Sequence, residues 1–140
     1  MKILAAVDGS SYTRRMLAYL AAHDEWLGPK HEYTLLYVVL PVPHRAAAFA
    51  GPELVQGYYD DDAETVLRPL RAFFEKQGLK AQFVHRVGHP ADVIAAMAKE
   101  GGYDLLIMGS RGHGALANLV LGSVATKVLA QCETPVLLVR

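Results

Sequence analysis

The chain has 140 residues, the length of one ordinary domain, and a single core of that size folds without disulfides or a structural metal. Hydrophobic residues make up 52% and charged residues 20%, which excludes intrinsic disorder and low-complexity character. Lys and Arg number 14 and so do Asp and Glu, so no global positive field holds a nucleic-acid backbone or an anionic membrane; an anionic ligand needs a local site.

The first apolar run, 3–7, is closed by Asp8 and is shorter than the core of a secretory signal. Asp8, Gly9, Ser10 and Ser11 then form a turn able to cap a helix, with Met16, Leu17, Leu20 and Ala21 on its apolar face. A second strand is expected over 33–39, with little polar alternation, as in a strand covered on both faces. The apolar run 35–42 is interrupted by Pro41 and is too short to span a bilayer.

Pro41, Pro43, Gly51 and Pro52 mark 40–52 as a long loop, one able to order partly on a ligand or partner. Val66, Leu67, Leu70, Phe73 and Phe74 then share a helical face, inside which Pro69 predicts a kink or a break. The consecutive Asp60, Asp61 and Asp62 point in different directions around a helix, so they read as solvated acids near its N-terminus rather than as a metal site. Trp26 and Leu27, near the end of the first helix, read as packing residues.

A third strand is expected over 81–87, carrying His85 as a structural residue, followed by the turn Gly88-His89 and a helix opened by Pro90. Val93, Ile94 and Met97 give that helix its apolar face, and Gly101-Gly102 end it. The fourth strand, 105–108, leads into a glycine-rich loop; a helix over 123–131 and a last strand over 136–139 complete the chain. Strand and helix thus alternate throughout, the order of a doubly wound, mostly parallel α/β sheet. Ligands of such sheets bind beyond the carboxyl ends of the strands, where strand order reverses. Cys132 is the lone cysteine, read as a small half-buried residue near a helix end; its solitude points to a reducing compartment. The expected location is the cytoplasm.

Dense glycine follows only the fourth strand: Gly109-Ser110-Arg111-Gly112-His113-Gly114, continuing to Gly122-Ser123. Glycines let a backbone approach an anion and turn its N–H groups toward it. Ser123 can cap the helix that starts there, setting the N–H groups of Ser123 and Val124 and the positive helix end toward a phosphate, with Arg111 the nearest guanidinium. A Walker A string is absent. The segment 112–117 fits G-x-G-x-x-A but does not follow the first strand, and Glu133, near the spacing of a ribose-binding acid, precedes rather than ends the next strand; a dinucleotide site is discounted. Gly109-Ser110-Arg111-Gly112 lacks the spacing of a nucleophile elbow. His113 and His44 are the histidines nearest the proposed site, and neither is assigned a catalytic role; no cluster has metal-ligand spacing.

The larger spacing Gly109-x2-Gly112-x9-Gly122-Ser123 resembles the ATP-binding branch of the universal stress protein family. So do the opening Lys2-Ile3-Leu4-Ala5-Ala6-Val7-Asp8-Gly9-Ser10, the turn Gly88-His89-Pro90, the segment 104–112, Leu121-Gly122-Ser123-Val124 and the closing Pro135-Val136-Leu137-Leu138-Val139. The resemblance spans the whole chain, 1–140, as one nucleotide-binding domain. It implies a Rossmann-like, five-stranded sheet in the order 3-2-1-4-5 with helices on both faces.

The resemblance also implies roles for individual residues. Asp8 would hold the ribose, with Ala6 and Val7 beside the base and the Val38 backbone contacting adenine. Met108 and Gly109 would lie along the nucleoside, and Gly112, Gly122, Ser123 and Val124 would wrap the phosphates, with Arg111 nearby. Some members carry Thr where this chain has Ala125, so one phosphate hydroxyl is absent. Mg²⁺ would arrive with ATP, held by phosphates and water. The expected protein binds ATP or a related adenine nucleotide in a stress response and signals through conformation or a protein partner. The alternatives are a slow ATP hydrolase or self-phosphorylating protein, and an interaction module with an empty site. A homodimer through Val136, Leu137, Leu138 and Val139 would cover the apolar edge of the sheet.

Overall fold

The computed structural model describes residues 1–114 and 118–140. Five strands form one sheet: β1 (Lys2–Val7), β2 (Glu32–Val39), β3 (Ala81–Val87), β4 (Leu105–Gly109) and β5 (Val136–Val139). Their order is β3-β2-β1-β4-β5 and every pairing is parallel, as the sequence leads one to expect. Parallel neighbours need crossovers, supplied by α1 (Ser11–Ala22), α2 (Asp24–Leu27), α3 (His44–Ala50), α4 (Pro52–Lys76), α5 (Pro90–Glu100) and α6 (Ser123–Gln131).

Alternation along β1 divides the core. Ile3, Ala5 and Val7 face the layer of α1 and α4, where Met16, Leu20, Leu67, Leu70 and Phe74 are buried. Leu4 and Ala6 face α5 and α6, meeting Ala91, Ile94, Ala98, Ala125 and Val128. Ser10 caps α1, its side chain accepting from Tyr12 N at 3.2 Å; a bond of this kind contributes about 1 kcal/mol.

The stretch between β2 and β3 departs from the sequence reading. Residues 44–50 are the helix α3, because Arg45 and the alanines after it are strong helix formers; Gly51, at φ 89°, ends it. Pro52 then opens α4 at its first position, where the missing N–H has no intrahelical partner to lose. Pro69 does not interrupt α4, which runs for 25 residues. An interior proline costs about 3 kcal/mol, and each fully buried Leu or Phe stabilises by about 1.5–3 kcal/mol, so burying Leu67, Leu70 and Phe74 offsets it. Asp60, Asp61 and Asp62 consequently lie in the interior of a helix rather than near its N-terminus.

Smaller differences follow from packing. Ala21 is exposed instead of lying on the apolar face of α1, and Trp26 and Leu27 belong to the separate turn α2. Leu27 is fully buried, whereas Trp26 remains 39% exposed with an edge contact to Tyr19. Cys132 is half-buried at the end of α6, where the sequence reading sets it. Among the described residues, no helix is long and apolar enough to cross a membrane.

Candidate functional site

β1 pairs with β2 on one side and β4 on the other, and the chain winds away from it in both directions. The carboxyl ends of these strands therefore open a crevice at the reversal point. A cavity of about 620 Å³ occupies it. Every residue given a nucleotide contact by the resemblance lines this cavity: Ala6, Val7 and Asp8 from β1 and its turn, Val38 from β2, Met108 and Gly109 from β4, Arg111 and Gly112 from the loop, and Gly122, Ser123 and Val124 at the start of α6.

One wall is backbone. The first intrahelical bond of α6 runs from Thr126 N to the Gly122 carbonyl at 3.0 Å, so the N–H groups of Ser123, Val124 and Ala125 precede the helical ladder. Ser123 is the first helical residue and makes no cap; Gly122 takes the capping position, without a side-chain bond. Gly122 N donates to Ser110 O at 2.7 Å, drawing the helix start against the β4 loop. A Cβ at Gly122 would sit 3.2 Å from Arg111 Cα, so the glycine serves a close backbone approach. Arg111 stacks its guanidinium over Tyr12, 4.9 Å from the ring centre.

The other wall is made of side chains. Asp8 is held firmly: its Oδ1 accepts from Ser10 N at 2.9 Å and from Thr13 Oγ1 at 3.0 Å, and Thr13 Oγ1 accepts from Asp8 N at 3.0 Å. Its Oδ2 turns toward the loop, where a Cβ added at Gly112 would collide with it. His113 Nε2 bonds the Asp8 carbonyl at 2.8 Å, tying the glycine loop to the end of β1. His44, by contrast, is exposed on α3 and does not line the cavity.

Sequence reasoning missed Thr13, Tyr37, Tyr58 and Asp62, all of which line the cavity. Tyr37 donates its hydroxyl to Asp62 Oδ2 at 2.8 Å. Burial first, then this bond and the nearby Asp62 charge, pushes the Tyr37 phenol well above its ordinary range, so it stays protonated. The available signal was spacing: Tyr58 and Asp62 stand four apart, on one face of a helix that the sequence reading began too late. His85 is in β3, with Nε2 3.5 Å from Asp60 Oδ1. Among the described residues no group of three His, Cys, Asp or Glu is arranged to hold a metal ion. The G-x-G-x-x-A reading of 112–117 depends on 115–117, outside the described residues.

This chain resembles known proteins over its full length. It is 29% identical over 150 residues to the universal stress protein YxiE of Bacillus subtilis, covering 99% of this chain and 98% of that one. The solved structure of protein MJ0577, a universal stress protein of Methanocaldococcus jannaschii, superposes with a TM-score of 0.84 at 28% identity, covering 99% of this chain and 94% of that one. The same fold is seen in a universal stress family protein from Arabidopsis thaliana solved with AMP bound, at TM-score 0.71 and 19% identity, covering 99% and 90% of the two chains. The sequence profile of the universal stress protein family matches residues 1–140, and the chain belongs to that family.

Proposed function

We propose that the crevice binds an adenine nucleotide, ATP foremost, and that the protein acts in the cytoplasm as a stress-response sensor or regulator. The observation that carries this reading is the backbone wall: N–H groups before the α6 ladder beside a glycine loop form a cradle for phosphate oxygens. Ala6, Val38 and Met108 offer an apolar floor for a base, and Asp8, with one oxygen fixed and the other turned inward, suits a ribose hydroxyl. The AMP-bound relative supports the same class of ligand. Mg²⁺ would be held through the phosphates, since the backbone wall offers it no carboxylate.

The output is conformational or partner binding rather than turnover. Fast phosphoryl transfer needs a group that orients water, and the bases lining the cavity are already engaged: Asp8 by Ser10 and Thr13, Asp62 by Tyr37, and His113 by the Asp8 carbonyl. Steady release of phosphate approaching ~1 per second by contaminant-free protein would refute that part of the reading. β5 lies at the sheet edge with Val136, Leu137 and Leu138 half-buried, and pairing with a second copy would cover it. Light scattering at micromolar concentration should give twice the chain mass; a monomer would remove the dimer from the account.

The nucleotide assignment itself is tested by denaturing the purified protein and identifying what it releases by mass spectrometry. An adenine nucleotide near one per chain is expected. Release of none, together with no calorimetric binding of ATP, would leave an interaction module with an empty site.

A further inference from the structure

The nucleotide reading gives no role to the part of the crevice formed by α4. Tyr58, Asp62 and Val66 are spaced four apart and form one stripe along that helix. Val66 packs over the turn after Asp8, since a Cβ at Gly9 would lie 3.3 Å from Val66 Cγ2. One turn back along the axis, about 5.4 Å, Asp62 reaches the cavity, and Tyr58 lines it a turn further on. The two preceding acids go elsewhere: Asp61 is exposed, and Asp60 faces His85.

Tyr37 fixes the Asp62 carboxylate from the sheet side. It stands opposite Val7 in the β1–β2 register, next to Asp8, and donates to Asp62 Oδ2. The phenol keeps its proton because burial and the carboxylate hold it there. No hydrogen bond to Asp62 Oδ1 is present among the described residues, and an ionised carboxylate can only accept. Asp8 and Asp62 both line the cavity and both lie close enough to Tyr37 to act on its phenol, so two carboxylates border the same part of the crevice.

We propose that Asp62, oriented by Tyr37, is a second hydroxyl-reading carboxylate that selects nucleotides with an unphosphorylated ribose and rejects those carrying a 2′- or 3′-phosphate. This rests on the adenine-nucleotide reading of the same crevice. A ribose hydroxyl donates to a carboxylate in a charge-assisted bond, stronger than a neutral one. A phosphate ester at that position has no proton to give in its charged form and brings negative charge against two carboxylates. Rejection by repulsion is the usual way a site separates ligands sharing most of their contacts. The same charge distribution orients the nucleotide, sending its 5′-phosphates to the amide wall.

The test is displacement of radiolabelled ATP by AMP, adenosine 2′,5′-bisphosphate and adenosine 3′,5′-bisphosphate. The parent should prefer AMP to either bisphosphate by at least tenfold. Asp62→Asn, which keeps the shape and removes the charge, should cut that preference at least fivefold. Tyr37→Phe leaves the charge but not its orientation, so it should weaken AMP severalfold while the bisphosphates stay excluded. A parent that takes a bisphosphate as well as AMP overturns the proposal without any variant, and so does a folded Asp62→Asn with an unchanged ratio. Binding of ATP with either of those results defeats the role of Asp62 alone; no binding of ATP defeats the nucleotide reading as well.

Discussion

The two walls of the crevice are made of different material. The wall at the start of α6 is backbone, with glycines where β4, its loop and the helix approach closely, and it presents N–H groups. The opposite wall is side chain, Asp8 held by Ser10 and Thr13 and Asp62 held by Tyr37, and it presents oxygen. A ligand that fits both has an anionic end and a hydroxyl-bearing end. On the proposed reading, the pair of walls would set the ligand's direction as well as its affinity, which a glycine loop alone would not.

Gly112 is where the walls meet, and substituting it should have the largest effect. A methyl group there collides with Asp8 Oδ2, so Gly112→Ala must displace the Asp8 carboxylate, the proposed ribose acceptor, or the loop. The expected loss is about a hundredfold in ATP affinity, ~2.7 kcal/mol, by calorimetry, with adenosine weakened too. Equal binding by the variant would show that Asp8 and the loop do not hold one ligand between them.

A control far from both walls comes from the other end of β2. The Tyr33 hydroxyl donates to the carbonyls of Leu27 and Gly28, and burial raises its pKa from 10.0 to about 12. A raised folded-state value means that the stabilisation is complete below pH 10 and is lost as pH climbs toward 12. The loss across that window should be about 2–3 kcal/mol. Denaturant titrations at pH 9 and pH 12 should show it in the parent, and Tyr33→Phe should show a much shallower decline. An equally steep decline in the variant would assign the effect to other groups.

Gly122→Val should separate the walls. Its side chain would press on the Arg111 backbone at 3.2 Å and move the amide wall alone. ATP affinity should fall at least tenfold, about 1.4 kcal/mol, while adenosine, which makes no phosphate contacts, is little changed. Circular dichroism must first show the variant folded. Equal losses for the two ligands would mean that the walls are not independent.

The same contrast explains what could be read in advance. The amide wall was legible because its spacing is local: Gly109, Gly112 and Gly122 flank one strand end and one helix start, and all line the cavity. The doubly wound, mostly parallel sheet was legible from short apolar runs alternating with helical faces, while the strand order came from the family resemblance. On the side-chain wall Asp8 was named through the family resemblance, but Asp62 and Tyr37 were not. The helix was read as starting near the three acids and its face was taken from Val66 onward, so the phase that aligns Tyr58, Asp62 and Val66 along α4 was not drawn. The Asp8 oxygen facing Gly112 depends on two separate segments meeting in space, which no local pattern contains.

The most direct test is an amide nitrogen–proton correlation map recorded while ATP, and separately adenosine, is titrated into labelled protein. With ATP the N–H signals of Gly109, Gly112, Ser123 and Val124 should move with those of Ala6 and Val38. With adenosine, Ala6 and Val38 should move and Ser123 and Val124 should hardly shift. ATP that leaves the Gly112, Ser123 and Val124 amides in place would contradict the assignment of the backbone wall to phosphate, and with it the nucleotide reading of this crevice.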